Sequence, residues 1–465
     1  MNQDALLENC SRSFPDTIRR LSELVRIPSC SFPGFDPAHV EDSAQAVAAW
    51  FRDIGLPEVQ VLHVDDIPPY VIARDHRAGG DKPTLLLYAH HDVQPPMREE
   101  LWESKPYEPT VRDGRLYGRG AADDKAGVAL HAASIEAWYK TSGALPVNVT
   151  ILIEGEEEVG SDHLESFIQS HKEMLAADVV VIADLANYDT GIPSLTVSLR
   201  GLVAVEIELK ALRRPVHSGL WGGTVPDVIQ SFCRVLSSLT NSDGSVAIEG
   251  LLDGVIPPTE QELLDWKSLP FDRANFANQG GIPVGVAPID GVNLGRRLWR
   301  TPAVSVNGIQ SGTKGKTGNV LMDSAWARIG IRIVPGMDPR RTMELLKAHL
   351  QARVPAGMEL TISEESLAPS WGTSTEHPVF ALARQSLFVG YGKAPVAIGC
   401  GASIPFVEAV TEALGGIPAL LVGVEDPWCN AHSENESVHL GDLEKAIKSQ
   451  AVLFGLMDRS STSEE

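Results

Sequence analysis

His90, His91 and Asp92 stand together at the end of the apolar run PTLLLYAHHD. Imidazoles and carboxylates in this pattern can hold a metal ion. If strand geometry persists, the alternate residues His90 and Asp92 project to one side. His90 then serves as a ligand and Asp92 as the acceptor that fixes its tautomer. A polar loop after a strand accounts for the same string, and His91, facing the other way, reads as structural. Further on, LYGRGAADDKAG sets Asp123 and Asp124 in a Gly-rich turn before a helix. A carboxylate there can bridge two cations with its two oxygens, or simply cap the helix. EGEEEVGS places Glu154, Glu156, Glu157 and Glu158 directly after the apolar run VNVTILI. Acids crowded at the end of a buried strand repel one another, and a pair of cations would compensate them. One Glu could then ligate while its neighbour accepts protons. Asp184 closes DVVVIAD, and His432 lies in the polar turn WCNAHSENE; each says little alone. No contiguous zinc pattern such as HExxH is present, so any ligand set is dispersed over the chain.

The elements that must position these residues follow from periodicity. Residues 16–30 and 40–54 read as helices, and 59–74 as strands around a turn. A helix is predicted over about 125–140. Three short apolar strands, each ending in ionisable residues, predict an open α/β sheet with its site at the strand ends. Near Gly201 the texture changes to alternating strands, LVAVEIELKA and AWARIGIRIV, with helices at VPDVIQSFCRVLSSL and DPRRTMELLKAHLQARV. Asp338 caps the second of these, with Pro339 in its first turn. MELTISEES is a further strand, and about 250–320 shows no clear period. The expected division is a first part of the large unit at 1–199, a small α+β unit at 200–370, and the second part of the large unit at 371–465.

The chain has 465 residues, 43% of them hydrophobic, which is long enough for two cores. Its 61 acidic residues against 39 basic ones give a formal charge of -22. That balance disfavours nucleic acid and anionic membranes as partners. No leader-like start and no apolar run of roughly 20 residues is seen. The five scattered cysteines, Cys10, Cys30, Cys233, Cys400 and Cys429, fit a reduced, cytoplasmic setting without a thiolate metal site.

Taken as an ordered set, the strings carry a resemblance. They are HHD at 90–92, YGRGAADDK at 117–125, GEEEVGS at 155–161, AD at 183–184, HSGLWGG at 217–223, IRIVPGM at 331–337, SIP at 403–405 and AHSENE at 431–436. The chain resembles the M20 family of metallopeptidases over nearly its whole length, within it the cytosolic non-specific dipeptidase and carnosinase branch. The resemblance implies an α/β, phosphorylase/hydrolase-like zinc-peptidase catalytic domain with an inserted α+β, ferredoxin-like lid and dimerisation domain. It implies two divalent ions per subunit, zinc in the first place, with manganese or cobalt also compatible. His90 and Asp184 would bind one, Glu158 and His432 the other, and Asp123 would bridge them. Asp92 would orient His90, Glu157 would be the general base, and the Asp123–Asp124 peptide would be a candidate for the cis form.

The same resemblance assigns His217 to the oxyanion of the partner subunit's site, which implies a homodimer. Arg332, Asn319 and Ser403 would position the substrate, a guanidinium suiting a carboxylate clamp. Two departures bear on substrate choice. Ala402 replaces a glycine usual in the branch, and Asn319 stands where a threonine is usual. The implied activity is a dipeptidase for short peptides with a free C-terminal carboxylate. An N-acyl amino acid deacylase or succinyl-diaminopimelate desuccinylase-like enzyme is the alternative, and a non-catalytic binding homologue a distant one.

Overall fold

The structure is a computed structural model that describes residues 2–64, 67–270, 273–286, 294–401 and 405–460. Its larger sheet has nine strands. Four neighbours run parallel in the order Asn148–Glu154, Thr84–His90, Val179–Ala186 and Ala419–Glu425. Antiparallel partners flank them, Tyr70–Asp75 on one side and Ser194–Leu199 on the other. The sheet is therefore mixed, with a parallel centre.

Apolar runs form the centre because both faces are covered. Leu85, Leu87, Ile151 and Val181 pack on one face with Leu21 and Leu24 of helix Gln3–Val25, Ile135 of Lys125–Ser142, Phe380 of Pro378–Tyr391 and Phe454 of Leu440–Ser460. Leu86, Tyr88, Leu152 and Ile182 face the other way, onto Phe167 of helix Leu164–Ser170 and Phe406 of Pro405–Ala413. Successive side chains thus serve opposite cores, and the polar residues that follow emerge together at one edge.

The second sheet has four antiparallel strands in the order Ala303–Gln310, Ser324–Ile333, Gly201–Lys210 and Glu359–Ala368. Helices Val228–Ser237 and Pro339–Gln351 supply Phe232 and Leu346 to a separate core with Val205, Ile207, Ile329 and Ile331. In chain order the strands and these two helices run strand–helix–strand–strand–helix–strand. Asp338 caps its helix by accepting from the Arg341 N–H at 2.6 Å, with Pro339 at the first position, as predicted. The large sheet draws strands from both sides of this segment.

Two readings need correction. The first helix spans Gln3–Val25, not 16–30. One buried stripe, Leu6, Cys10, Thr17, Leu21 and Leu24, continues through Pro15, and its burial outweighs the lost hydrogen bond. The helix stops early because Pro28 drives Ile27 out of helical geometry. The stretch 250–320 also holds structure: helices Glu260–Ser268, Arg273–Gln279 and Leu294–Arg300, and strand Ala303–Gln310. Glu260–Ser268 is fixed by a capping box between Thr259 and Glu262, with Trp266 turned inward. Two buried positions, Glu262 and Trp266, give little periodicity to read. Among the described residues no helix is long and apolar enough to cross a membrane.

Candidate metal centre

All four parallel strands carry an ionisable residue at or near their end, on the same edge. His90 pairs in register with Glu154, Asp184 lies near the end of the next strand, and Glu425 ends the fourth. An edge of this kind is where open α/β sheets place their ligands.

The turn after Tyr117 brings in Asp123 and Asp124. Asp124 is the helix cap: its Oδ1 accepts from the Gly127 N–H at 3.0 Å. Its Oδ2 accepts from the His90 N–H at 3.2 Å. Both oxygens of Asp124 are thus held by backbone. Those of Asp123 face two different imidazoles, Oδ1 at 3.0 Å from His90 Nε2 and Oδ2 at 2.9 Å from His432 Nε2. The peptide between the two aspartates is cis.

Around Asp123 the remaining groups fall on two flanks. Asp184 Oδ1 lies 3.7 Å from His90 Nε2, and Glu158 Oε2 lies 3.2 Å from His432 Nε2. Three sets of donor atoms each fall within 4.8 Å of one another: His90 with Asp124 and Asp184, Asp123 with Glu158 and His432, and Asp123 with Asp184 and Glu425. Imidazole nitrogen and carboxylate oxygen on each flank, with a two-faced carboxylate between, suit a pair of divalent cations.

Asp92 ties the two motifs together. Its Oδ1 lies 3.3 Å from His90 Nδ1 and accepts from the Glu157 N–H at 3.2 Å. Its Oδ2 accepts from the Glu158 N–H at 3.1 Å and from Ser31 Oγ at 2.7 Å. Burial works against its charge, but the bonds from His90 and Ser31 hold the carboxyl below its ordinary value. His91 turns away, its Nε2 3.0 Å from the Pro69 carbonyl, and burial pushes its pKa down to about 4. It is a neutral core residue, as expected.

The cluster is short of positive charge. Burial, then the acids Asp184, Glu158 and Asp123, push Glu157 well above the carboxylate range despite His90. Burial and Asp123 carry Glu158 up to about 7. Burial alone would lower His90, but Asp184, Asp123 and Asp92 raise it well above its ordinary value. His432, bonded to Asp123 and Glu158, is pushed up to about 11. Acids forced to share protons around two imidazoles form the charge pattern that divalent cations relieve.

Three further residues shape the site without having been singled out beforehand. Glu436 is fully buried and clamps the aspartate turn. Its Oε2 accepts from Arg119 Nη1 at 2.7 Å and the Gly120 N–H at 3.0 Å; its Oε1 accepts from the N–H groups of Ala122 and Asp123 at 2.9 and 3.1 Å. Gln94 holds Glu158 through its backbone and side-chain N–H groups, at 3.1 and 2.7 Å. Glu425 adds another carboxylate, pushed well above its usual range by burial and by Asp123 and Asp184. The apolar run PALLVGVE before it carries the same signal that marked His90 and Asp184.

The other expected site residues lie elsewhere. His217 is exposed on the short strand Val216–His217, paired with Val320–Leu321, and its Nδ1 accepts from the Gly219 N–H. The adjacent Asn319 carbonyl accepts from the Ser218 N–H at 3.0 Å. Among the described residues no hydrogen bond or ion pair joins His217 to the metal-binding cluster. Arg332 sits on strand Ser324–Ile333 near Arg200, whose pKa falls to about 10 through burial first and Arg332 second. Ser403 and Ala402 lie outside the described residues.

Comparison with known proteins places this geometry. The family model described as Peptidase family M20/M25/M40 matches residues 86–454. A cysteinylglycine-S-conjugate dipeptidase of Corynebacterium striatum is 30% identical, over 94% of this chain and 95% of its own. A Cys-Gly metallodipeptidase of Schizosaccharomyces pombe is 31% identical, over 96% and 97%. Among solved structures, human carnosine dipeptidase 1 superposes with a TM-score of 0.82 at 25% identity, covering 99% of both chains.

Proposed function

The chain belongs to the peptidase family M20/M25/M40, and on that basis we propose that it is a dipeptidase acting on short peptides with a free C-terminal carboxylate. That it is a metal-dependent amide hydrolase rests on the family and on the paired donor sets. The observation that carries the reading is Asp123, whose two oxygens face His90 and His432 on opposite sides. All three similar proteins named above are dipeptidases by name, which favours that substrate class over acyl amino acids.

In this reading His90 and Asp184 would hold one cation and Glu158 and His432 the other, with Asp123 shared between them. Zinc is the first expectation, with manganese or cobalt compatible. Divalent cations held there would supply acidification of water and polarisation of the substrate carbonyl. Asp92 fixes the His90 tautomer and, through the Glu157 and Glu158 N–H groups, the turn that carries the base. Glu157 removes the proton of the attacking water and delivers it to the leaving amine. Arg332, Asn319 and Ser403 receive the substrate's terminal carboxylate and backbone. The division into 1–199, 200–370 and 371–465, with the middle part a ferredoxin-like lid, belongs to the same reading. The strand–helix–strand–strand–helix–strand order of 201–368 supports it.

Stripped protein assayed on a panel of dipeptides, acetyl amino acids and succinyl amino acids, with zinc, manganese or cobalt added back, tests the function. Metal-restored cleavage of dipeptides first is the expected result. Preference for acyl amino acids would make it a deacylase or desuccinylase, and bound metal with no cleavage at all would leave a binding protein.

His217 supplies an oxyanion donor to the site of a partner subunit in this reading, in line with its exposure and its lack of contact with the cluster of its own chain. His217→Ala is expected to lose about 10²- to 10³-fold in turnover while keeping its metals. Mixed with Glu157→Gln subunits it should regain part of that activity, because one hybrid site is then intact. Absence of any recovery in subunit-exchanged mixtures would remove the cross-subunit role.

A further inference from the structure

Each carboxylate of the two flanks has an imidazole partner. Asp123 has both His90 and His432, Asp184 has His90, and Glu158 has His432. Glu425 stands apart. One of its carboxylate oxygens lies within 4.8 Å of oxygens of Asp123 and Asp184. Yet among the described residues no Lys, Arg or His pairs with it, and the charged groups acting on it most strongly are all acids. A partly buried carboxylate without a cation beside it is costly unless something positive arrives.

A metal does not meet that need well. The His90 flank already has an imidazole, Asp184 and a share of Asp123. A further protein ligand would close the position that substrate and water require. The three carboxylates Asp123, Glu158 and Asp184, with the proton given up by water, balance two divalent cations. Glu425 is surplus to them.

We propose that Glu425 binds the free ammonium group of the substrate's first residue and so selects unblocked dipeptides over N-acyl amino acids; this rests on the dipeptidase reading above. In an aminoacyl group the ammonium nitrogen is about 2.5 Å from the carbonyl carbon. A carbonyl presented at the Asp123–Asp184 edge therefore brings the ammonium within reach of Glu425. The neighbouring backbone leaves room for the rest of that residue. Ala186 is the register partner of Glu425. Together with Asn187 it lines a cleft of about 250 Å³ walled by Tyr188, Leu298, Trp299 and Ile398. The side chain of the residue held by Glu425 occupies this cleft.

The test is calorimetric binding of two probes to the zinc-loaded protein, alanine hydroxamate and propionohydroxamate, which differ only in the ammonium group. Alanine hydroxamate is expected to bind about 10- to 100-fold more tightly. Glu425→Gln, nearly isosteric, should erase most of that preference while elemental analysis still finds two metals per chain. Equal binding of the two probes by the unsubstituted protein overturns the proposal without any variant. So does a preference that survives in Glu425→Gln, or loss of a metal, which would make Glu425 a ligand. The amide panel separates this from the function itself. Dipeptides cleaved with equal hydroxamate binding sink only the role of Glu425, whereas cleavage of acyl amino acids alone sinks the dipeptidase reading.

Discussion

Glu157→Gln is expected to cut dipeptide turnover by about 10²- to 10⁴-fold and to leave two metals per chain in place. The substitution keeps shape and removes only the ability to take and return a proton. Glu157 lies 4.0 Å from His90 Nε2, facing the cluster, and its backbone N–H is fixed by Asp92. It is also the one acid of the GEEEVGS turn that faces the cluster with no close imidazole partner, since Glu158 is bonded to His432 and Gln94. Metal content by elemental analysis and initial rates on the best dipeptide read the two halves of the prediction separately. Full activity would move the base to another residue, and metal loss would make Glu157 a ligand.

The largest effect on stability is expected at Glu436. Glu436→Ala should destabilise the metal-free protein by about 3–5 kcal/mol, measured as a shift in denaturant unfolding. The carboxylate is fully buried and accepts four hydrogen bonds, one from the buried Arg119 and three from the turn that presents Asp123. Removing it leaves a guanidinium without its counter-charge, and three backbone N–H groups without an acceptor. Working on metal-free protein keeps the loss of cations out of the measurement. The same variant should also bind metal poorly, because Asp123 is no longer held between the two imidazoles. Glu436→Gln, which retains acceptor capacity, should lose less. A shift below about 1 kcal/mol in Glu436→Ala would show that water or a rearranged turn replaces the clamp.

Much of this acidic edge was legible in the sequence. His90, the pair Asp123 and Asp124, the glutamates at 154–158 and Asp184 stood out because each follows an apolar run or a Gly-rich turn, and the choice of Asp123 and Glu158 among them came from the ordered set of strings. A buried strand can leave its polar tail only at a sheet edge. The cap at Asp338 was equally local, a matter of one side chain and the N–H three residues on. His432 had no such mark. It became a candidate only through its place in an ordered set of strings, and its nearness to Asp123 spans 309 positions that no local period encodes.

What tertiary structure alone decided is adjacency. Strand order in the large sheet, not sequence order, sets Glu154, His90, Asp184 and Glu425 side by side. It turns four separate strand ends into one acidic edge. The division of labour between Asp123 and Asp124 was also invisible in the string AADDKAG. The helix start takes one carboxylate as its cap and leaves the other free to face both imidazoles. Glu425 and Glu436 were overlooked for the same reason: a lone acid gains meaning only from what surrounds it. The chain's own pattern thus specified which residues could do chemistry. Packing specified which of them gather around two imidazoles, which hold the turn, and which stands without a basic partner, because charges interact through space rather than along the chain.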